Sequence, residues 1–223
     1  MKSNGYVLHE DSQRVVIATG FARKSANPKT GDMIQVWILP AAVNPLQAKE
    51  LGLDSLVCGD CPLRNGTCYV NLGQAPLSVY KAWKRGKYPQ LPSIAVFEGR
   101  SVRLGAYGDP AYIPLMIVRA IVNVAKSHTG YTHQWRNPVF QGLKQFVMAS
   151  VESLAGMTEA HAMGWRTFRV STDTDTMPSE IVCVNTTKGI TCEQCGLCNG
   201  ASSAKSIVIE SHGKGAKRLA EVN

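Results

Sequence analysis

Charged residues are scarce in this sequence of 223 residues, where Asp, Glu, Lys and Arg make up 18% and aromatic residues only 7%. A disordered chain carries more charge and less apolar residue than the 44% found here, so the composition excludes intrinsic disorder. Long apolar runs are also missing. The most apolar stretch, residues 113–124, is too short to span a bilayer and is interrupted by Arg119, so we expect no membrane contact.

Several functional signatures are missing as well. The first ten residues, MKSNGYVLHE, lack the apolar run of a secretory signal, so we expect an intracellular protein with reduced thiols. The sequence shows no helix-turn-helix, RNA-recognition motif, glycine-rich phosphate loop or internal repeat. What it does contain is seven cysteines, an odd number that would leave one thiol outside a closed set of disulfides. Clustered cysteines in a reducing compartment indicate metal ligands or redox groups.

Alternating strand and helix patterns predict a single α/β domain over residues 1–223. Strands separated by helices form parallel sheets, so we expect a partial or distorted (β/α) barrel with cysteine-rich loops. An open doubly wound sheet fits the same pattern nearly as well. Asn44 and Pro45 predict the start of a short helix that ends at Gly52. The predicted strands are residues 14–20, 33–39, 93–97, 101–105, 130–135, 147–150, 167–171, 180–184 and 206–210, and the predicted helices are residues 44–52, 76–86, 111–127, 137–146, 158–163 and 214–222.

Polar residues accompany several of the predicted strands. Asp109 stands in Gly-Asp-Pro after one strand, His133 lies in Thr-His-Gln-Trp within another, and Glu152 follows a third. Ligands of parallel α/β folds bind at the carboxyl ends of the strands, so these three residues are predicted to face a pocket as catalytic groups. The plainer alternatives are a turn or cap for Asp109 and a satisfied buried histidine for His133. Glu152 and His212 are weaker candidates of the same kind, and packing explains Ser150 equally well.

The first cysteine-rich segment, residues 58–68, contains Cys58, Cys61 and Cys68. Three thiolates on a [4Fe–4S] cube leave one iron open to a substrate or cofactor, as catalytic zinc sites keep one position open. Alternatively, a histidine or carboxylate closes that position, or Cys183 crosses over to it. The spacing C-x2-C-x6-C differs from the C-x3-C-x2-C of radical S-adenosylmethionine enzymes, which weakens a direct assignment to them.

The second cysteine-rich segment, residues 183–200, contains Cys183, Cys192, Cys195 and Cys198. Three cysteines at two-residue spacing suit the separate corners of an iron–sulfur cube, and Cys183 completes a four-thiolate set. Bacterial ferredoxins follow the triplet with a fourth cysteine where this chain has Ser202, so the motif is not that of a ferredoxin. Whether there is one cluster or two stays open. The alternative is zinc, held by Cys58, Cys61 and a later cysteine pair.

Five segments together resemble a family of tailed-bacteriophage proteins, the gene-product-eighty-eight-like family. The resemblance covers most of the chain and implies a phage source and a host-cytoplasm location, but no activity. The layout is also similar to a shortened radical-S-adenosylmethionine barrel with an auxiliary cluster, an analogy of architecture only. The segments are Cys58-Gly-Asp-Cys61-Pro-Leu-Arg with Cys68-Tyr-Val-Asn, Arg103-Leu-Gly-Ala-Tyr-Gly-Asp-Pro110, Thr129-Gly-Tyr-Thr-His-Gln-Trp135, Gly164-Trp-Arg-Thr-Phe-Arg169 and Cys192-x-x-Cys195-Gly-Leu-Cys198-x-Gly200.

The formal net charge of +8 and a basic segment at residues 81–87 make an anionic partner plausible, with nucleic acid or a host protein as candidates. A solvated helix face explains the same residues. Lys214, Lys217 and Arg218 add further positive charge.

Two functions follow from these patterns. The first is an iron–sulfur protein with open-site or radical-type cluster chemistry, which takes a small ligand such as S-adenosylmethionine. The second is a protein without catalysis, in which an iron–sulfur cluster or zinc is structural, redox-sensing or electron-transferring.

Overall fold

The computed structural model describes residues 3–25, 27–173, 175–200 and 203–211. Its strands form one nine-stranded sheet in the order β1-β2-β3-β4-β5-β6-β7-β9-β8. They are β1 (Gly5–Glu10), β2 (Arg14–Thr19), β3 (Ile34–Pro40), β4 (Ser101–Tyr107), β5 (Ser127–Thr132), β6 (Met148–Val151), β7 (Thr167–Ser171), β8 (Glu180–Val182) and β9 (Ser206–Glu210).

Most of the sheet is parallel, as the alternation of strands and helices predicts. All neighbours from β3 to β8 pair in parallel, whereas β1, β2 and β3 form an antiparallel meander. The expectation of parallel strands throughout is therefore wrong for the first three. A short connection explains the first pair, because only residues 11–13 separate β1 from β2 and a parallel return needs a dozen residues or more. Residues 20–33, which join β2 to β3, are long enough for a crossover but contain no helix among the described residues. Within the described residues the sheet does not close on itself, since β1 and β8 are its two edges.

Helices connect the parallel strands. Asn44 caps the first of them by accepting hydrogen bonds from Leu46 N and Gln47 N, and Pro45 occupies its first turn, as the sequence predicts. The α-helices are α1 (Pro45–Glu50), α2 (Ser55–Cys58), α3 (Ala75–Lys84), α4 (Leu115–Val124), α5 (Leu154–Ala162), α6 (Val184–Lys188) and α7 (Cys192–Cys195). The 3-10 segments are Pro62–Asn65, Ile94–Phe97, Pro110–Tyr112, Gln134–Arg136 and Pro138–Gln145.

Several local predictions differ from the structure. The strand predicted at 130–135 is β5, which ends at Thr132 before a 3-10 turn, and the helix predicted at 111–127 is limited to α4 because Ser127 begins β5. Residues 93–97 are a capped 3-10 turn rather than a strand, because the Ser93 hydroxyl accepts a hydrogen bond from Ala95 N. Residues 137–146 are largely 3-10 rather than α-helical, and β1 has no counterpart among the predicted strands. The predicted helix at 214–222 lies outside the described residues, as do His212, Lys214, Lys217 and Arg218.

The central strands are covered on both sides. Every residue of β3 is buried, and five of the six residues of β2 are buried, so this part of the sheet forms the main core. None of the helices in the described ranges is long and apolar enough to cross a membrane. The carboxyl ends of β4, β5 and β6 lie side by side at one edge of this core, which places the residues that follow them together.

Candidate functional site

Asp109, His133 and Glu152 lie just beyond the carboxyl ends of β4, β5 and β6. Asp109 is only 6% exposed and accepts three hydrogen bonds. Its Oδ1 accepts from Ala111 N at 2.9 Å and from Thr132 Oγ1 at 2.6 Å, and its Oδ2 accepts from His133 N at 2.8 Å. Burial raises the pKa of Asp109, while these hydrogen bonds lower it. Asp109 therefore joins the end of β4 to the end of β5 and holds the His133 backbone.

The His133 ring faces both a carboxylate and a thiol. Its Nε2 atom lies 2.7 Å from Glu152 Oε1 and 4.0 Å from Cys61 Sγ. Burial by itself lowers the pKa of His133, but its hydrogen bonds to Cys61 and Glu152 and their negative charges raise that pKa well above its usual value. One nitrogen serves both partners, so the arrangement differs from a catalytic triad, in which the base uses one nitrogen for each neighbour. It instead places one ring nitrogen between a carboxylate oxygen and a sulfur.

The first cysteine group, defined as Cys58, Cys61 and Cys68, gathers beside this histidine. Cys58 ends α2, Cys61 precedes the 3-10 turn at 62–65, and Cys68 is exposed in the loop that follows. Burial raises the pKa of the Cys58 thiol, and negative charge on Cys61 and Cys68 raises it further. Burial of its sulfur also raises the pKa of the Cys68 thiol, although the residue as a whole is exposed. The positive charge of His133 opposes this increase. The three thiols and His133 thus share one electrostatic neighbourhood.

Polar contacts fix the loop that carries Cys58 and Cys61. Arg64 makes a bidentate pair with Asp54, at 2.7 and 3.1 Å, and also donates to Gly59 O at 2.9 Å. Gly59 has a φ of 55°, and a Cβ atom there would collide with the Tyr112 hydroxyl and the Gln134 amide. Only glycine allows the chain to turn between the two cysteines in this space.

The second cysteine group, defined as Cys183, Cys192, Cys195 and Cys198, lies on a separate segment that backbone hydrogen bonds hold against the sheet. Cys192 N donates to Lys29 O at 2.9 Å, and Gly130 N in β5 donates to Cys198 O at 3.0 Å. Glu193 is not available as a ligand of this group, because its Oε2 accepts a hydrogen bond from Asp32 N at 2.7 Å.

All four cysteines of the second group line one cavity of about 370 Å³ on one face of the sheet. Alternate residues of β5 (Thr129 and Tyr131) and of β7 (Phe168 and Val170) form its floor. Burial raises the pKa of the Cys198 thiol to about 12, and negative charge on the three other cysteines acts in the same direction, while a hydrogen bond with Tyr131 opposes it. The four thiols are therefore close enough to repel one another when ionised.

Both cysteine segments contribute to the wall of this cavity. Leu63 and Thr67 come from between Cys61 and Cys68, and Tyr69 follows Cys68 directly. Arg103, in β4, also lines the cavity and donates from Nη2 to Tyr69 Oη at 3.2 Å. Arg103 and Tyr131 belong to the resembling segments, but sequence reasoning gave them no role. The available signal was a charged residue between the apolar residues of a predicted core strand.

Other predicted residues lie apart from both cysteine groups. Ser150 is buried in β6, where its carbonyl accepts a hydrogen bond from Trp135 Nε1 at 3.0 Å, as the packing alternative requires. Four exposed cations lie at the end of α3 and just after it, and none of them forms an ion pair with a described carboxylate. They are Lys81, Lys84, Arg85 and Lys87.

The arrangement of the thiols leaves both metal alternatives open. Across the described ranges, no three His, Cys, Asp or Glu side chains form a group that could hold a metal ion. Zinc requires three or four ligands around one point, and an iron–sulfur cube requires thiolates at its separate corners, so this finding applies to both alternatives alike.

Comparison of the chain with protein-family models, with curated proteins and with solved structures returns no match.

Proposed function

We propose that the protein binds [4Fe–4S] clusters through its two cysteine groups and acts as an enzyme at the first of them. The observation that carries the proposal is the sorting of all seven cysteines into two neighbourhoods. Cys58, Cys61 and Cys68 act on one another's charge, with Cys61 4.0 Å from His133, and the other four line one cavity. Metal binding removes thiol protons, and a cluster supplies the positive charge that grouped thiolates need.

In this proposal the first cysteine group supplies three thiolates, so one iron keeps a position for an external ligand such as S-adenosylmethionine. Three residues of the chain then have distinct roles. His133 holds a proton at Nε2 beside Cys61, Glu152 orients the ring through its 2.7 Å contact, and Asp109 fixes the backbone of His133. These groups bind and orient the ligand and exchange a proton with it.

The second cysteine group supplies four thiolates and holds a closed cluster. Cys183 belongs with this group rather than with the first, because it lines the same cavity as Cys192 and Cys198 and acts on the pKa of both. The proposal treats the open sheet as a partial (β/α) barrel whose inner face carries the cavity. It also includes the phage source and the host-cytoplasm location implied by the sequence resemblance.

The decisive experiment is iron, sulfide, zinc and visible-absorbance analysis of protein purified without oxygen. Two cubes give brown protein with about eight irons per chain, and one cube gives about four. We expect Cys61→Ala and Cys195→Ala each to lower the iron content by about half, by removing a ligand of one cluster only. Ser78→Ala, an exposed helix position, is the control and keeps the full content. Colourless protein with stoichiometric zinc contradicts the proposal.

Ligand binding separates an enzyme from an electron carrier. We expect S-adenosylmethionine to perturb the spectrum of the wild type and of Cys195→Ala, but not that of Cys61→Ala. A reversible redox couple without any response to S-adenosylmethionine favours electron transfer instead.

A second candidate function, nucleic-acid binding without catalysis, is favoured by the exposed cations of α3. Lys84 Nζ lies 4.4 Å from the centroid of the Trp83 ring, so charge and an aromatic group occur together as in many nucleic-acid surfaces. Cations at a helix C-terminus also stabilise the helix dipole, which is the simpler explanation of their position. Salt-sensitive DNA or RNA binding that Lys84→Gln weakens, and that the exposed control Lys188→Gln does not, supports this function.

A further inference from the structure

We propose that the cavity between the two cysteine segments binds a small organic anion, a carboxylate or a phosphate, through Arg103. This inference goes beyond the proposed function, because the site requires only the folded chain and no cluster.

The charge of the cavity wall points to an anion. Lys29 and Arg103 both line the cavity, whereas none of the lining residues in the described part of the chain is an aspartate or a glutamate. Neutral hydrogen-bonding side chains are present as well, among them Tyr69, Thr129 and Asn185. An anion entering this space therefore meets positive charge and donors and no carboxylate, and the only described lining groups that can become negative near neutral pH are the four thiols of the second cysteine group.

Arg103 itself has few partners for a guanidinium in such a place. It lies in β4 between Val102 and Leu104, which are both buried, and its side chain enters the cavity. Its hydrogen bond to Tyr69 is a single contact, and no described carboxylate forms an ion pair with it. A guanidinium has five N–H donors, arranged in a fork that matches the oxygens of a carboxylate or phosphate. Most of these donors can therefore bind a ligand.

The apolar side chains on the opposite side of the cavity favour an apolar group in the rest of the ligand. Phe168, Val170 and Ile209 give this wall an apolar surface, and the Tyr131 and Phe168 rings pack with centroids 4.1 Å apart. A volume of about 370 Å³ lies at the small end of known ligand pockets, which begin at about 300 Å³. The ligand class is therefore a small anion with an apolar body, placed with its charged group at Arg103.

Cys192 offers the competing explanation for this arginine. Its thiolate, as part of a cluster, would be the counter-charge of Arg103, since the two groups affect each other's pKa. Burial lowers the pKa of Arg103, but Tyr69, Tyr131 and Cys192 raise it above its ordinary value, so the guanidinium stays charged under either explanation. The two explanations differ in whether a free anion binds at this position.

Calorimetric titration of the full chain tests the inference with three probes: benzoate, phenyl phosphate and the neutral benzyl alcohol. We expect one or both anions to bind at least about 10-fold more tightly than benzyl alcohol, the size of one charge-assisted hydrogen bond. Tighter benzoate binding identifies a carboxylate ligand, and tighter phenyl phosphate binding identifies a phosphate. Equal binding of the neutral probe, or no anion binding, overturns the inference.

Matched variants assign the binding to the arginine. Arg103→Met should weaken binding of the anions about 10-fold or more, and Arg103→Lys, which keeps the charge but not the fork, should weaken it less. Arg119→Met, at an exposed position of α4, should bind like the wild type. Unchanged affinity in Arg103→Met overturns the inference, and thermal melting establishes that each variant is folded.

The iron content of the sample separates this inference from the proposed function. We expect the anions to bind protein from which iron has been removed and to bind iron-loaded protein more weakly, because the cluster proposed for the second cysteine group would share this cavity. If no preparation contains iron but the anions still bind, the cluster proposal fails and the anion site stands. Binding that occurs only in iron-loaded protein assigns the anion to a cluster iron and overturns the role of Arg103.

Discussion

Replacing Asp109 by Asn exchanges one of the two oxygen atoms that join the end of β4 to the end of β5. Its Oδ1 accepts from Ala111 N and Thr132 Oγ1, and its Oδ2 accepts from His133 N. The amide group of Asn must turn its NH₂ toward one of these oxygen positions. Whichever it takes, a buried backbone N–H of Ala111 or His133 faces another donor and loses its acceptor.

The structure sets the size of this effect. An unpaired buried donor costs about 1–3 kcal/mol of folding free energy, and the surviving bonds weaken because they are no longer charge-assisted. At a loss of about 2 kcal/mol, a chain of this size should melt about 4–8 °C lower. The assay is urea unfolding followed by tryptophan fluorescence, in parallel with thermal melting. Asp175→Asn, an exposed aspartate whose side chain accepts none of the hydrogen bonds found among the described residues, should change stability by less than about 0.5 kcal/mol. A stability of Asp109→Asn equal to that of Asp175→Asn refutes the reasoning.

Two further predictions concern other buried groups. Burial lowers the pKa of His128 more than its hydrogen bonds to the Asn199 and Phe146 backbones raise it, so the unfolded chain binds a proton more readily than the folded one. Stability should therefore fall as the pH drops below about 6.5, by at most about 1.4 kcal/mol per pH unit for this group. His128→Gln should flatten that slope in urea unfolding, and an unchanged slope contradicts the assignment. Arg169 forms an ion pair with Glu180 at 2.8 Å in the interior. Arg169→Met leaves the buried Glu180 carboxylate without its partner and should lower the free energy of unfolding by about 3–5 kcal/mol in the same assay. Adding Glu180→Gln should recover part of that loss, and a double variant no more stable than Arg169→Met alone would argue against stranded charge as the cause.

The parallel part of the sheet could be predicted from sequence where a helical pattern long enough for a crossover follows a strand, as after β3, β4, β5 and β6, whereas only residues 172–179 separate β7 from β8. The errors arise where a short-range contact or a tertiary partner decides the outcome. Residues 93–97 have the apolar composition of a strand, but the Ser93 hydroxyl starts a tight turn and Phe97 is then fully buried without pairing in the sheet. The strand β1 was missed because its sequence does not alternate apolar and polar residues: Tyr6, Val7 and Leu8 are consecutive, and His9 and Glu10 end the strand.

Part of the candidate site could also be predicted from the sequence. Cysteine spacing predicted two segments, and the polar residues at predicted strands indicated that His133 and Glu152 would face one pocket. His133 was expected within a strand but lies just after β5, 2.7 Å from Glu152. The role of Asp109 was open between catalysis and a turn, and its three hydrogen bonds give it a holding function at the strand ends. Arg103 could not be identified, because its importance comes from the cavity that distant segments form around it.

The contact between the loop after β2 and the second cysteine segment has a consequence for how the protein is made. Asp32 N and Glu193 Oε2 meet across 161 positions of sequence, and Cys192 N binds Lys29 O next to them. A ribosome releases the early loop long before the late cysteines exist, so the wall of the cavity is completed only after the second cysteine group has been synthesised. Anything that occupies this cavity must therefore arrive after translation has passed the second cysteine group, and the first group can be filled earlier and on its own.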